Sequence, residues 1–245
     1  VVTAKELAKM VKSEDIVIVS ARNSSDYAKK HITGAVNLYH QDLYNADGVE
    51  SMLKPTAEIA AILGTKGISE TSKVVVYDDG AGKLAGRIYW ILSYMGVEDV
   101  NILDGHIKSW MKARKPVTGK TTEITPVTFN GTVNENIYAS MDYVKTHLND
   151  AGVLLVDVRA VEEYNGENED EKLQRKGHIP GAINFDYAQI MNEDETLKSK
   201  EEISALLAAA NITSDKEIIL YCATSVRAGI VYLALTSMLD YPNVS

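Results

Sequence analysis

Cysteine occurs once in this chain of 245 residues, at position 222. A lone cysteine is most often a small buried hydrophobe, so its setting decides what it can do. Cys222 directly follows the apolar run 218–221 (Ile-Ile-Leu-Tyr), which reads as a buried strand, and a helical pattern begins near Arg227. It therefore falls in a strand-to-helix turn at the carboxyl end of a strand, where open α/β sheets place their ligands. Between Cys222 and Arg227 stand Ala223, Thr224, Ser225 and Val226, none bulkier than Val. Small side chains let the backbone curl so that successive N–H groups point inward. The helix start adds unpaired N–H groups and a positive dipole end, and Arg227 adds a full charge. All three favour the thiolate, the nucleophilic form of cysteine. The expectation is a nucleophile at Cys222 inside an anion cradle built from residues 223–226 and the Arg227 guanidinium. Thr224 and Ser225 have two readings, hydroxyl donors to a substrate or caps of the helix.

The elements that must position this turn occur twice. Residues 16–22 match 154–159, each apolar and ending in Arg. His31–Asn37 matches His178–Asn184 at five of seven positions, and the Ala-Gly pair at 85–86 returns at 228–229 before an apolar stretch. The order never changes, which indicates a duplicated domain. Val17–Val19, Val74–Tyr77 and Val100–Leu103 read as buried parallel strands. Lys5–Lys12, Thr56–Leu63 and Ala85–Met95 read as the intervening helices. This alternation predicts an α/β architecture, two doubly wound domains, each a parallel sheet with helices on both faces. Residues 116–136, with two prolines and many threonines, read as the passage between halves, which places the domains at 1–118 and 137–245 around a linker at 119–136. The second half ends before any counterpart of Leu103–Trp110, so its last strand and helix are expected to be lacking. The acidic excess at 166–172 reads as a solvated loop that could overhang the site.

Where the second half has Cys222, the first has Asp78, a carboxylate that cannot carry sulfur and would repel an anion. The first half is therefore expected to be catalytically silent. Asp157 and Arg159 read as a structural ion pair behind the loop. His178 reads as a turn-bracing residue, because His31 repeats it in the silent half. Trp90 and Trp110 read as core.

A net charge of −9, from 34 acidic and 25 basic residues without a basic cluster, disfavours nucleic acid and anionic membranes as partners. One cysteine excludes an internal disulfide framework and cysteine-rich zinc sites, and neither a metal nor a cofactor is called for. Apolar stretches are too short to span a bilayer. The expected compartment is the cytoplasm, with an exported form lacking its leader as the alternative for a chain that begins at Val1.

The two α/β repeats, Asp78 in the first loop, the segment 177–182 (Gly-His-Ile-Pro-Gly-Ala) and the Cys222-x4-Arg227 loop together resemble the tandem-domain rhodaneses, thiosulfate sulfurtransferases. The resemblance covers nearly the whole chain, with one departure at His106, where the family usually has Gly. It implies a double displacement: Cys222 takes the outer sulfur of thiosulfate as a persulfide, sulfite leaves, and a thiophilic acceptor such as cyanide removes the sulfur. Arg227 would grip the sulfonate oxygens, and a protein could be the acceptor. The related 3-mercaptopyruvate sulfurtransferases usually carry Arg where this chain has Glu163, the wrong charge for a keto acid unless Arg175 compensates. Phosphatases on this fold use Cys-x5-Arg, a longer loop than this one. The remaining alternative is a non-enzymatic rhodanese-like module that binds sulfur or partners.

Overall fold

The computed structural model describes residues 1–13, 16–167 and 175–245, so that most of the acidic excess, at 168–172, lies outside the described residues. The first half runs α1 (Ala4–Ser13), β1 (Ile16–Ser20), α2 (Ser24–Lys29), β2 (His31–Ile32), β3 (Val36–Asn37), α3 (Thr56–Thr65), β4 (Lys73–Tyr77), α4 (Lys83–Tyr94), β5 (Asp99–Ile102), α5 (His106–Lys112) and β6 (Val117–Thr118). The second runs α6 (Met141–His147), β7 (Val153–Asp157), α7 (Val161–Asn165), β8 (Ile183–Asn184), α8 (Lys200–Ala209), β9 (Glu217–Tyr221) and α9 (Ala228–Leu233), which continues into a π-helical turn at Ala234–Met238. Each half builds a parallel sheet, in the order β3-β1-β4-β5 and then β8-β7-β9.

The β-branched runs form central strands because both their faces are covered. On β4, Val74 and Val76 face the core shared by the two halves, whereas Val75 and Tyr77 face an outer core with Leu7, Ile107 and Trp110. On β9, Ile218 and Leu220 enter the same shared core, and Ile219 and Tyr221 pack on the outer side. Each such fully buried apolar side chain contributes about 1.5–3 kcal/mol.

The shared core closes where α4 crosses α9. At the crossing Gly86 and Gly229 meet without side chains: a Cβ on Gly86 would collide with the backbone of Ile230, and one on Gly229 with the carbonyl of Gly86. The Tyr89 hydroxyl meets the Ser237 hydroxyl at 2.7 Å beside this contact.

The passage from residue 116 opens with β6, which lies inside the bounds 1–118 drawn for the first half and pairs antiparallel with β2; Pro116 precedes the strand and costs it no hydrogen bond. The second half was expected to lack any counterpart of β5, yet Val244 bridges Ile218 in parallel, and Ser245 both donates to Ile218 and accepts from Leu220. Its position beside β9 is that of Val100 beside Val74 in the first half.

Candidate active site

β9 delivers Cys222 to the carboxyl edge of the second sheet, half-buried and packed against the shared core. The following loop turns sharply because Ser225 adopts φ +56°, a left-handed conformation, uncommon for a residue with a side chain. Ala223 and Ser225 are exposed, and Thr224 and Val226 are half-buried. Arg227 is the N-cap of α9, and no side chain makes a capping hydrogen bond there. The capping reading of Thr224 and Ser225 is thereby without support, since neither hydroxyl bonds the start of α9.

Arg227 is not free. Its Nη1 and Nη2 donate to Oε2 and Oε1 of Glu163 at 2.5 and 2.9 Å, a two-pronged pair of the kind that fits guanidinium to carboxylate. Glu163 is brought there by α7, a single turn. The hydrogen bond from Arg227 holds the Glu163 carboxyl below the usual carboxylate range. In return Glu163, and more weakly the charge of the Cys222 sulfur, push Arg227 further towards its charged form. The cation expected to face a donor is therefore neutralised by a neighbour 64 positions away in sequence.

The residues read as supporting the loop lie behind it. Asp157 is fully buried and accepts from Arg159 through Nε at 2.9 Å and Nη2 at 2.6 Å, while Arg159 also donates to the carbonyl of Gly177 at 2.8 Å. The ring of His178 stacks on Tyr164 at 3.6 Å, and its Nδ1 donates to the Tyr164 carbonyl at 2.8 Å. These contacts fix the 177–182 turn to the end of β7; neither Arg159 nor His178 takes part in the hydrogen bonds of the Cys222 loop. Arg175 is exposed. Among the described residues no group of three or more His, Cys, Asp or Glu is gathered to hold a metal, and no helix is long and apolar enough to cross a membrane.

The equivalent loop of the first half is filled from within. Asp78, 1% exposed, accepts from the backbone N–H of Gly80 at 2.8 Å and of Leu84 and Ala85 at 3.0 Å. Its carboxylate is itself the anion at the start of α4, a favourable place for negative charge. Ala81 takes φ +60° where the other loop has Ser225. His106 takes φ +52°, which explains why Gly would be at ease there, and its Nδ1 lies 3.3 Å from Asp78 Oδ1.

A chain of three first-half residues, one of which, Arg87, lines a cavity together with Ser225 of the second loop, was not singled out from sequence. Arg87 Nε donates to the Tyr44 hydroxyl at 3.1 Å, and that hydroxyl meets Nδ1 of His40 at 3.0 Å. Burial first, and the Arg87 charge second, push His40 down to about 4, so it is neutral near pH 7. Tyr44 is pushed up, chiefly by burial, with the charge of Cys222 acting in the same direction. The available signal was Arg87 itself, a charge inside an apolar helix pattern where the repeat has Ile230.

The rhodanese-like domain family matches this chain twice, at residues 3–113 and 140–245. A thiosulfate sulfurtransferase of Azotobacter vinelandii is 29% identical over 250 residues, covering 100% of this chain and 89% of that protein. The sulfur carrier protein TtuD of Thermus thermophilus is 33% identical over 229 residues, 89% of this chain and 80% of its own. Among solved structures, SseA of Escherichia coli, described as a 3-mercaptopyruvate sulfotransferase, superposes with a TM-score of 0.90 at 29% identity, covering 100% of this chain and 95% of SseA. With both halves matched and the sulfur-handling relatives aligned along nearly its full length, the chain belongs to the rhodanese-like family of sulfurtransferases.

Proposed function

We propose that this protein moves sulfane sulfur from thiosulfate to a thiophilic acceptor through a persulfide on Cys222, with the first half catalytically silent. The single observation that carries the reading is the contrast between the loops: three backbone N–H groups of the first are taken by Asp78, whereas the second presents a half-buried sulfur beside a guanidinium. In the first step the Cys222 thiolate attacks the outer sulfur of thiosulfate. The S–S bond breaks and sulfite leaves with the electron pair. In the second step cyanide attacks the terminal sulfur of the persulfide, thiocyanate departs and the thiolate returns. Splitting the transfer in this way replaces one difficult displacement by two easier ones. The N–H groups of residues 223–227 would steady the persulfide charge.

A second reading, 3-mercaptopyruvate as donor, draws support from the likeness to SseA; the carboxylate of Glu163 at the loop opposes it. The name of the Thermus relative favours a protein as physiological acceptor. Intact mass spectrometry after incubation with thiosulfate is expected to show one added sulfur, removed again by cyanide, and neither event in Cys222→Ser. Undiminished transfer by that variant would end the proposal. Faster loading from mercaptopyruvate than from thiosulfate would replace the donor.

A further inference from the structure

In the proposed reaction Arg227 is already engaged, since Glu163 occupies both prongs of its fork. Thiosulfate nevertheless brings a negatively charged sulfonate end that has to be met by a cation or by water. The interface between the halves holds a second guanidinium, that of Arg87 on α4, 5% exposed. Its partners are neutral: the Tyr44 hydroxyl at 3.1 Å, the Ser51 carbonyl at 3.5 Å and the face of Trp90 at 4.9 Å. Among the described residues no carboxylate pairs with it. A buried cation without a counter-charge is expensive, and a site that binds anions is where such an expense has a use.

The internal two-fold says which loop Arg87 faces. Tyr44 and Met191 are equivalent, each bridging an equivalent Leu, at 53 and 197. Arg87 and Ile230 are equivalent as the third residue of the repeated Ala-Gly-x block. Ile230 reaches the silent loop, its Cδ1 lying 3.0 Å from where a Cβ of Gly82 would be. The same rotation carries Arg87 and Tyr44 to the Cys222 loop. Independently, Arg87 and Ser225 line one cavity of about 530 Å³ between the halves, and the Tyr44 phenol responds to the charge of Cys222. Chemistry and placement agree, while the corresponding pair in the second half, Met191 and Ile230, is apolar.

We propose that Arg87, braced by Tyr44, binds the anionic end of the sulfur donor, so that the silent half supplies the cation that Glu163 withholds at Arg227. This rests on Cys222 being the sulfur acceptor. Planar guanidinium suits an oxyanion better than a point ammonium does, so Arg87→Lys should retain part of the effect and Arg87→Met none of it.

The test measures steady-state transfer from thiosulfate to cyanide together with alkylation of Cys222 by neutral iodoacetamide. Arg87→Met is expected to raise the thiosulfate KM at least tenfold, with the alkylation rate within twofold of the parent and Arg87→Lys in between. A thiosulfate KM within twofold of the parent in folded Arg87→Met overturns the proposal. If Arg87→Met does not fold, Tyr44→Phe decides, since it removes only the bracing hydroxyl: a KM raised threefold or more at unchanged kcat supports the proposal, and an unchanged KM overturns it. A parent protein that takes no sulfur from thiosulfate would instead refute the reading of Cys222 on which the assignment stands.

Discussion

The two loops of this protein hold equivalent places in the repeat and end in opposite states. Both follow a buried strand, both pass through a left-handed residue, at Ala81 and Ser225, and both lead into a helix of the shared core. The turns beside them are copies: the Ile32 and Ile179 N–H groups each donate to the strand-end tyrosine, Tyr77 or Tyr221, at 3.1 Å. His31 and His178 each stack on a tyrosine and bond its carbonyl at 2.8 Å. Their sequences differ throughout, and the residue at the strand end decides what the loop can hold. With Asp78 the inward N–H groups find a covalently attached anion and the loop becomes a structural knot. With Cys222 no anion is built in, and under the proposed function the loop would serve a thiolate, its persulfide or a donor instead. Under the proposed function, Asp78 against Cys222 at this position separates a strut from a reactive centre.

If that contrast is right, the cost of emptying the two strand-end positions should differ sharply. Asp78→Ala strands three N–H groups, two of them at the buried start of α4, and is expected to cost about 4 kcal/mol. Cys222→Ala, which removes a half-buried sulfur, should cost about 1 kcal/mol. Urea unfolding of both variants gives the comparison, and equal losses would break it.

Next in size is a pH effect seated in the first half alone. His40 holds no proton until about pH 4 when folded but titrates near 6.5 when unfolded. The unfolded chain therefore binds the proton first, and stability should fall as pH drops from about 6.5 to about 4, by about 3 kcal/mol, then level off. His40→Gln should flatten that part of the profile. A slope that survives the substitution would move the effect elsewhere.

The smallest expected effect tests the seam. Gly86→Ala and Gly229→Ala push on the same contact from opposite sides, so each should cost about 2 kcal/mol by overpacking. The two together should cost less than their sum, because they share the strain. Thermal unfolding of the three variants checks this; independent, additive losses would mean that the halves do not meet there.

The fold was legible because its signals are local or repeated. Runs such as Val74–Tyr77 must be buried on both faces, and the His-Ile-x-Gly-Ala blocks mark the duplication without knowledge of either copy's structure. The loop was legible for the same reason, since Cys222 and Arg227 are five positions apart on a recognisable strand-to-helix turn. What stayed hidden depends on long-range placement. Glu163 drew notice as a wrong charge for a keto acid, but nothing in the spacing says that a single helical turn carries it onto Arg227. Asp78 was read as a carboxylate that would repel an anion; that it also takes the anion's place is set by where three N–H groups point. Arg87 looked like one charge on an apolar helix until the two-fold related it to Ile230.

The meeting of Gly86 and Gly229 has a further consequence. Helices held together at backbone distance have little freedom to swing, since any opening must first shear the core they share. A cleft whose walls are tied at this crossing would keep its shape while molecules come and go. Under the proposed chemistry sulfite has to depart before an acceptor enters, and a protein acceptor has to insert a slender sulfur-bearing tip, because the walls will not part to receive a domain.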